Sequence, residues 1–123
     1  MAEHNKIYKK ADYYDIVFDR NVSKEVAFLL NVYQKFYGNS ARATLDLACG
    51  PGYHALEVAR LGLRSTGLDL NTEMIQLGQE KASRESLCIE WLVQDLRSFK
   101  LDQPADIAFI IFDGLDALSK IPY

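Results

Sequence analysis

A change of rhythm between residues 43 and 53 constrains this chain more than any other feature. Ala43-Thr-Leu-Asp-Leu-Ala48 is a short, mostly apolar run of strand length, and it passes directly into Cys49-Gly-Pro-Gly52. From Tyr53 to Leu61 the apolar residues fall instead at helical spacing, with Leu56, Val58 and Ala59 inward and Gly62 as the stop. The alternation then repeats. Arg64 to Asp69 reads as a second strand, and Asn71 or Thr72 caps a helix carrying Met74, Ile75, Leu77 and Ala82. Leu87 to Val93 and Asp106 to Phe112 read as the third and fourth strands. Strands alternating with helices form βαβ units, whose crossovers make a parallel sheet with helices on its faces. The expected fold class is therefore α/β, a doubly wound, mostly parallel sheet in three α/β/α layers.

Ahead of the sheet, Val22, Val26, Leu29, Tyr33 and Phe36 recur at spacings of 4, 3, 4 and 3, one face of an amphipathic helix. Asn21 or Ser23 is expected to cap it and Gly38 to end it. Residues 1–42 thus read as an N-terminal helical segment and 43–123 as a sheet core, together one domain. Doubly wound sheets usually run to about six strands. Four strands suggest that the sheet is part of a larger one or is completed by another chain.

Composition narrows the function. The chain is 49% hydrophobic and 25% charged, as packed globular chains are, and its net charge is −3 with no concentrated basic stretch. Neither a nucleic-acid groove nor a membrane-binding patch is supported. Cys49 and Cys88 stand 39 residues apart without a CxxC or a Cys/His cluster, which argues against a disulfide framework and against a zinc site. The first residues hold no apolar leader, and the longest apolar run, Ile107 to Phe112, is too short to span a bilayer. A cytoplasmic setting is expected.

The candidate chemistry sits at the strand ends. Gly50 and Gly52 allow positive φ and close approach of a ligand to the backbone, and the helix that follows offers unpaired N–H groups. Asp46 places a carboxylate inside an apolar strand, where it needs a cationic or hydrogen-bonding partner. Asp69 ends the second strand, 19 residues after Gly50, where a carboxylate accepts both hydroxyls of a ribose. Leu70 and Met74 can cover a flat base, and Asp95 can accept from an exocyclic amine. Three acids at successive strand C-termini point to the crevice where open α/β sheets bind ligands. Gly50-x-Gly52-x-x-Ala55 also meets the spacing of a dinucleotide site for NAD(P). Asp46 ahead of the loop, Pro51 within it and Asp95 beyond it weigh against that alternative.

With these motifs the chain resembles the N-terminal two thirds of a class I S-adenosylmethionine-dependent methyltransferase of the small-molecule type, with its Rossmann-like fold. The resemblance rests on Tyr8-x5-Tyr14-Asp15, Leu45-Asp-Leu-Ala-Cys-Gly-Pro-Gly52, Gly67-Leu-Asp-Leu-Asn-x-x-Met74, Gln94-Asp-Leu-Arg97 and Asp106-Ile-Ala-Phe-Ile-Ile-Phe-Asp113. It implies S-adenosyl-L-methionine as cofactor. Asp46 and the backbone of Ala48, Cys49, Gly50 and Gly52 would hold its methionine moiety, and Asp69 its ribose. Leu70, Met74, Asp95 and Leu96 would enclose the adenine, Gln94 would also bind the cofactor, Phe112 would lie near the sulfonium, and Tyr8 and Tyr14 would close over the cofactor. Tyr53 and His54 depart from the small or hydroxyl residues often found there, and the family's last three strands are absent. No residue is assigned as a catalytic base: His54 reads as a rim residue, and Asp113 and Asp116 as solvated acids. The acceptor implied is a small neutral or anionic metabolite. A cofactor-binding or interaction module without turnover is the other reading. The family's strand order, 3-2-1-4, would leave the fourth strand as an edge, which points to a homo-oligomer. Replacing Asp69 by alanine is expected to weaken ligand binding with little effect on folding.

Overall fold

The computed structural model describes residues 21–111. Its elements are α1 (Ser23–Tyr37), β1 (Ala43–Leu47), α2 (Tyr53–Arg60), β2 (Arg64–Asp69), α3 (Thr72–Arg84), β3 (Glu90–Val93) and β4 (Ile107–Phe109). The four strands are all parallel and lie in the order β3-β2-β1-β4. Both crossovers, β1–α2–β2 and β2–α3–β3, step the same way across the sheet, and right-handed connections then put α2 and α3 on one face. Accordingly α2 packs on β1 and β2, α3 on β2 and β3, and the two helices touch. The described elements supply the sheet and one helical layer of a Rossmann-like fold.

β2 spans the residues that its sequence predicts, whereas β3 and β4 are shorter. Pairing of β3 with β2 begins only at Glu90, opposite Thr66, so Leu87 to Ile89 run up to the sheet without joining it. β4 pairs with β1 from Ile107 to Phe109. Asp106 pins its start: its Oδ2 accepts the N–H groups of Arg42 (2.6 Å) and Ala43 (3.1 Å), and its own N–H donates to the Ala43 carbonyl at 2.9 Å. Leu56 and Val58 of α2 are almost inaccessible, as are Leu45 and Leu68 on the opposite face of the sheet, each stabilising the fold by about 1.5–3 kcal/mol.

The ends of the helices follow local chemistry. Asn71 caps α3, its Oδ1 accepting the Met74 N–H at 3.1 Å. At α1 the expected cap is displaced. Val22 holds the N-cap position without a side-chain bond, while Asn21 Oδ1 takes the Ser23 N–H at 2.9 Å. Gly38 ends α1 at φ 74°, as expected. Val22 and Val26 pack on Val58, with Leu30, Tyr53 and Leu63 around them. The apolar face predicted for α1 is only half used, since Phe36 is 80% exposed. The N-terminal half of α1 lies on α2. Leu29, Val32, Tyr33, Phe36 and Tyr37 instead line a groove of about 450 Å³ toward Ile107 and Ala108 of β4.

Candidate functional site

The site is built from the turn between β1 and α2. Ala48, Gly50 and Gly52 have φ of 53°, 58° and 81°, all in the left-handed region, just before the helix begins. A non-glycine residue pays about 1 kcal/mol or more for the left-handed region, and Ala48 carries that strain at the end of the central strand. Two of the bonds that hold the turn come from β2 and one lies within it. The Cys49 N–H donates to the Leu68 carbonyl (2.9 Å), the Gly50 N–H to Asp69 Oδ2 (2.8 Å) and the Gly52 N–H to the Cys49 carbonyl (3.0 Å). Pro51 has no N–H. The N–H donors of Cys49, Gly50 and Gly52 within the turn are therefore already taken.

Beneath this turn lies Asp46, only 2% exposed on β1. Its carboxylate accepts the backbone N–H of Ala55 in the first turn of α2, one of the donors that a helix start leaves unpaired. Ala55 is fastened from its other side as well, because its carbonyl accepts the Ser65 hydroxyl at 2.7 Å. Asp46 Oδ2 has no partner among the described residues. Burial pushes the Asp46 carboxyl well above the usual carboxylate range, the Ala55 bond opposes this, and the charge on Asp69 adds to it. The same surroundings push the Cys49 thiol up, first through burial and then through Asp46 and Asp69. Cys49 is thus a protonated thiol, its Sγ turned to the Gly50 carbonyl at 3.3 Å, and not a thiolate nucleophile.

Asp69 is the hub of the crest. Its Oδ2 holds the Gly50 N–H, its Oδ1 accepts the Asn71 N–H at 2.8 Å, and its carbonyl accepts the Gln94 N–H at 3.2 Å. One residue thereby ties together the segments following β1, β2 and β3. Leu70 stands beside it, 67% exposed, and Met74 is half-buried on the first turn of α3. The Gln94 side chain folds back to accept the Lys100 N–H at 3.1 Å. Asp95 meets the guanidinium fork of Arg97, at 2.6 Å from Nη2 to Oδ2 and 3.0 Å from Nε to Oδ1. That fork holds its pKa down at about 2. The structure thus brings Asp46, Ala48, Cys49, Gly50, Gly52, Asp69, Leu70, Met74, Gln94, Asp95 and Leu96 to one end of the sheet. Tyr8, Tyr14, Phe112, Asp113 and Asp116 lie outside the described residues.

His54 corrects the sequence reading. It is buried, not on the rim: its Nε2 meets Glu25 Oε2 of α1 at 2.6 Å, and its ring stands edge-on to Phe109 with centroids 6.1 Å apart. Three participants escaped sequence reasoning. Glu25 is 29 residues from His54, so no local pattern links them. Arg97 stands two residues beyond Asp95, a spacing that could have suggested their pairing. Trp91, the single tryptophan, is opposite Gly67 in the neighbouring strand, and that pairing is visible only once the register is known.

A parallel sheet in the order 3-2-1-4, with a glycine turn and two carboxylates at the ends of its two central strands, defines a ligand-binding α/β domain. The chain belongs to the methyltransferase domain family, whose pattern matches residues 44–121. It is similar to YqeM of Bacillus subtilis (strain 168), which carries a methyltransferase name. The two are 40% identical over 75 residues, 60% of this chain and 30% of that protein. It is 28% identical over 113 residues to the ubiquinone biosynthesis O-methyltransferase of Actinobacillus pleuropneumoniae serotype 5b (strain L20), covering 85% of this chain and 48% of that one. In structure it resembles S-adenosylmethionine-bound CalS10, an amino pentose methyltransferase from Micromonospora echinaspora. The TM-score is 0.72 and the identity 20%, over 85% of this chain and 44% of that one. The chain spans less than half the length of these three proteins.

Proposed function

We infer that the protein binds S-adenosyl-L-methionine at the crest of β1, β2 and β3 and transfers its methyl group to a small-molecule acceptor. The observation that carries this reading is Asp46, a buried carboxylate with an unpartnered oxygen, under a turn whose N–H groups are already bonded. That arrangement favours a ligand with a cationic end and disfavours the pyrophosphate of a dinucleotide. When bound, the cofactor supplies a methyl group on a positively charged sulfur, a leaving group that is already activated. What remains for the protein is to hold and orient, and orientation can contribute as much as ~7–11 kcal/mol. Asp46 and the turn Ala48–Gly52 hold the amino-acid end. Asp69 keeps lone pairs beyond its two backbone bonds for the ribose hydroxyls, and Leu70, Met74 and Asp95 bound the base. His54 Nε2 is committed to Glu25, so this reading gives it no part in deprotonating an acceptor. A small acceptor is supported by the ubiquinone biosynthesis and amino pentose enzymes among the similar proteins. Among the described residues no helix is long and apolar enough to cross a membrane, and Cys49 and Cys88 are free thiols, both compatible with a cytoplasmic enzyme.

Calorimetry with S-adenosylmethionine, S-adenosylhomocysteine and NAD tests the assignment. The first two are expected to bind and NAD is not. Tighter binding of NAD would overturn it.

A further inference from the structure

Asp46, Gly67, Trp91 and Phe109 are in register across the four strands, Gly67 opposite Asp46 and Trp91, and Phe109 opposite Asp46. Residues aligned this way share a face of the sheet. On this face Asp46 bonds Ala55 and Phe109 meets His54, so the row forms the floor under the start of α2. Gly67 leaves a gap in that floor, and the Trp91 indole fills it. A methyl group on Gly67 would stand 3.0 Å from both Cε3 and Cζ3 of Trp91 and 3.1 Å from Cys49 Sγ. The far edge of the indole reaches the cofactor turn, where a methyl on Gly52 would lie 2.5 Å from Cη2 and 2.7 Å from Cζ3. It also reaches α3, where a methyl on Gly78 would lie 2.6 Å from Cη2. Three glycines on three different elements thus stand against one ring.

We propose that Trp91 is a positioning residue that sets the height of the Cys49–Gly52 turn above the sheet and thereby tunes recognition of the amino-acid end of the cofactor. This rests on the function inferred above and deepens it. Gly52 is both the last residue of the turn and the N-cap of α2, so the ring that it touches fixes where the turn stops. The ribose and base end has its own supports. Asp69 Oδ1 is held by Asn71, and Met74 is placed by the Asn71 cap, two bonds that lie outside the turn. Shortening the ring should therefore loosen one half of the site and spare the other.

The test compares S-adenosylhomocysteine with adenosine, which lacks the amino-acid end, in the whole chain carrying Trp91→Phe or Trp91→Leu. Calorimetry should show at least tenfold weaker binding of S-adenosylhomocysteine to Trp91→Leu, a smaller loss in Trp91→Phe, and adenosine affinity within about twofold of wild type in both. Trp91 is the only tryptophan, so wild-type emission provides a second readout that needs no variant. It should shift with S-adenosylhomocysteine and stay constant with adenosine. Equal losses for both ligands would mean general damage and overturn the proposal, as would unchanged affinities or an emission shift common to both ligands. A wild-type chain that binds neither ligand would remove the cofactor reading itself, and this proposal with it.

Discussion

At Asp69 a single carboxylate accepts the N–H groups of Gly50 and Asn71, each at 2.8 Å, and this changes what its removal should do. A carboxylate at a strand end reads from sequence as dispensable for folding. In the structure Asp69→Ala strands two backbone donors, at about 1–3 kcal/mol for each that stays shielded from water. Asp69→Ala is therefore expected to lower the melting temperature and to weaken S-adenosylhomocysteine binding at least tenfold. A variant that binds as wild type would remove the ribose role, and an unchanged melting temperature would remove the structural one. Asp46 carries a pH signature. Its folded pKa lies above the unfolded value, so between the two the native state holds more protons than the unfolded chain. Stability must then fall as pH rises from the ordinary carboxylate range through the raised value. Asp46→Asn removes this dependence while keeping an acceptor for Ala55. Near neutral pH the ligand-free variant should melt higher than wild type, yet bind S-adenosylhomocysteine less tightly. Parallel melting-temperature profiles from pH 4 to 8 for the two proteins would refute this account.

Among the elements, α3 shows how packing reverses a propensity. Alanine in place of a helix glycine ordinarily gains up to about 1 kcal/mol. At Gly78 the added methyl would stand 2.6 Å from Trp91 Cη2 and 2.8 Å from the Pro51 carbonyl oxygen. The second neighbour is backbone and cannot rotate aside, and overpacking of this kind costs about 1–3 kcal/mol. Gly78→Ala is therefore expected to destabilise, which urea denaturation reads directly; a stabilised variant would show that the turn yields easily. Element boundaries were legible where a cap or a glycine marks them, as at Asn71, Gly38 and Gly62. They were less so at β3, whose start is set by its register with β2 and not by any signal near Leu87.

For the whole molecule, the described sheet leaves β4 with a neighbour on one side only, β1. The C-terminal half of α1 adds an apolar surface beside it, with Phe36 80% and Tyr37 69% exposed. An unpaired strand next to apolar side chains is a template for association. The 123-residue chain is expected to self-associate, giving a mass above 14.0 kDa by light scattering coupled to gel filtration. A monomer at high concentration would count against the β4 edge as an interface.

By itself the sequence determined the order of the elements, the parallel α/β class, and the glycine turn with acids at successive strand ends. These are written in local periodicity and short spacings, which one segment carries without reference to another. The tertiary structure decided who holds whom. The taking of the Gly50 N–H by Asp69, the unpartnered oxygen of Asp46, the pairing of His54 with Glu25 and the seating of Trp91 across Gly67 all depend on long-range contacts. Such contacts follow from strand register and helix packing, where a slip of one residue turns each side chain to the opposite face, and no short stretch of sequence specifies that choice.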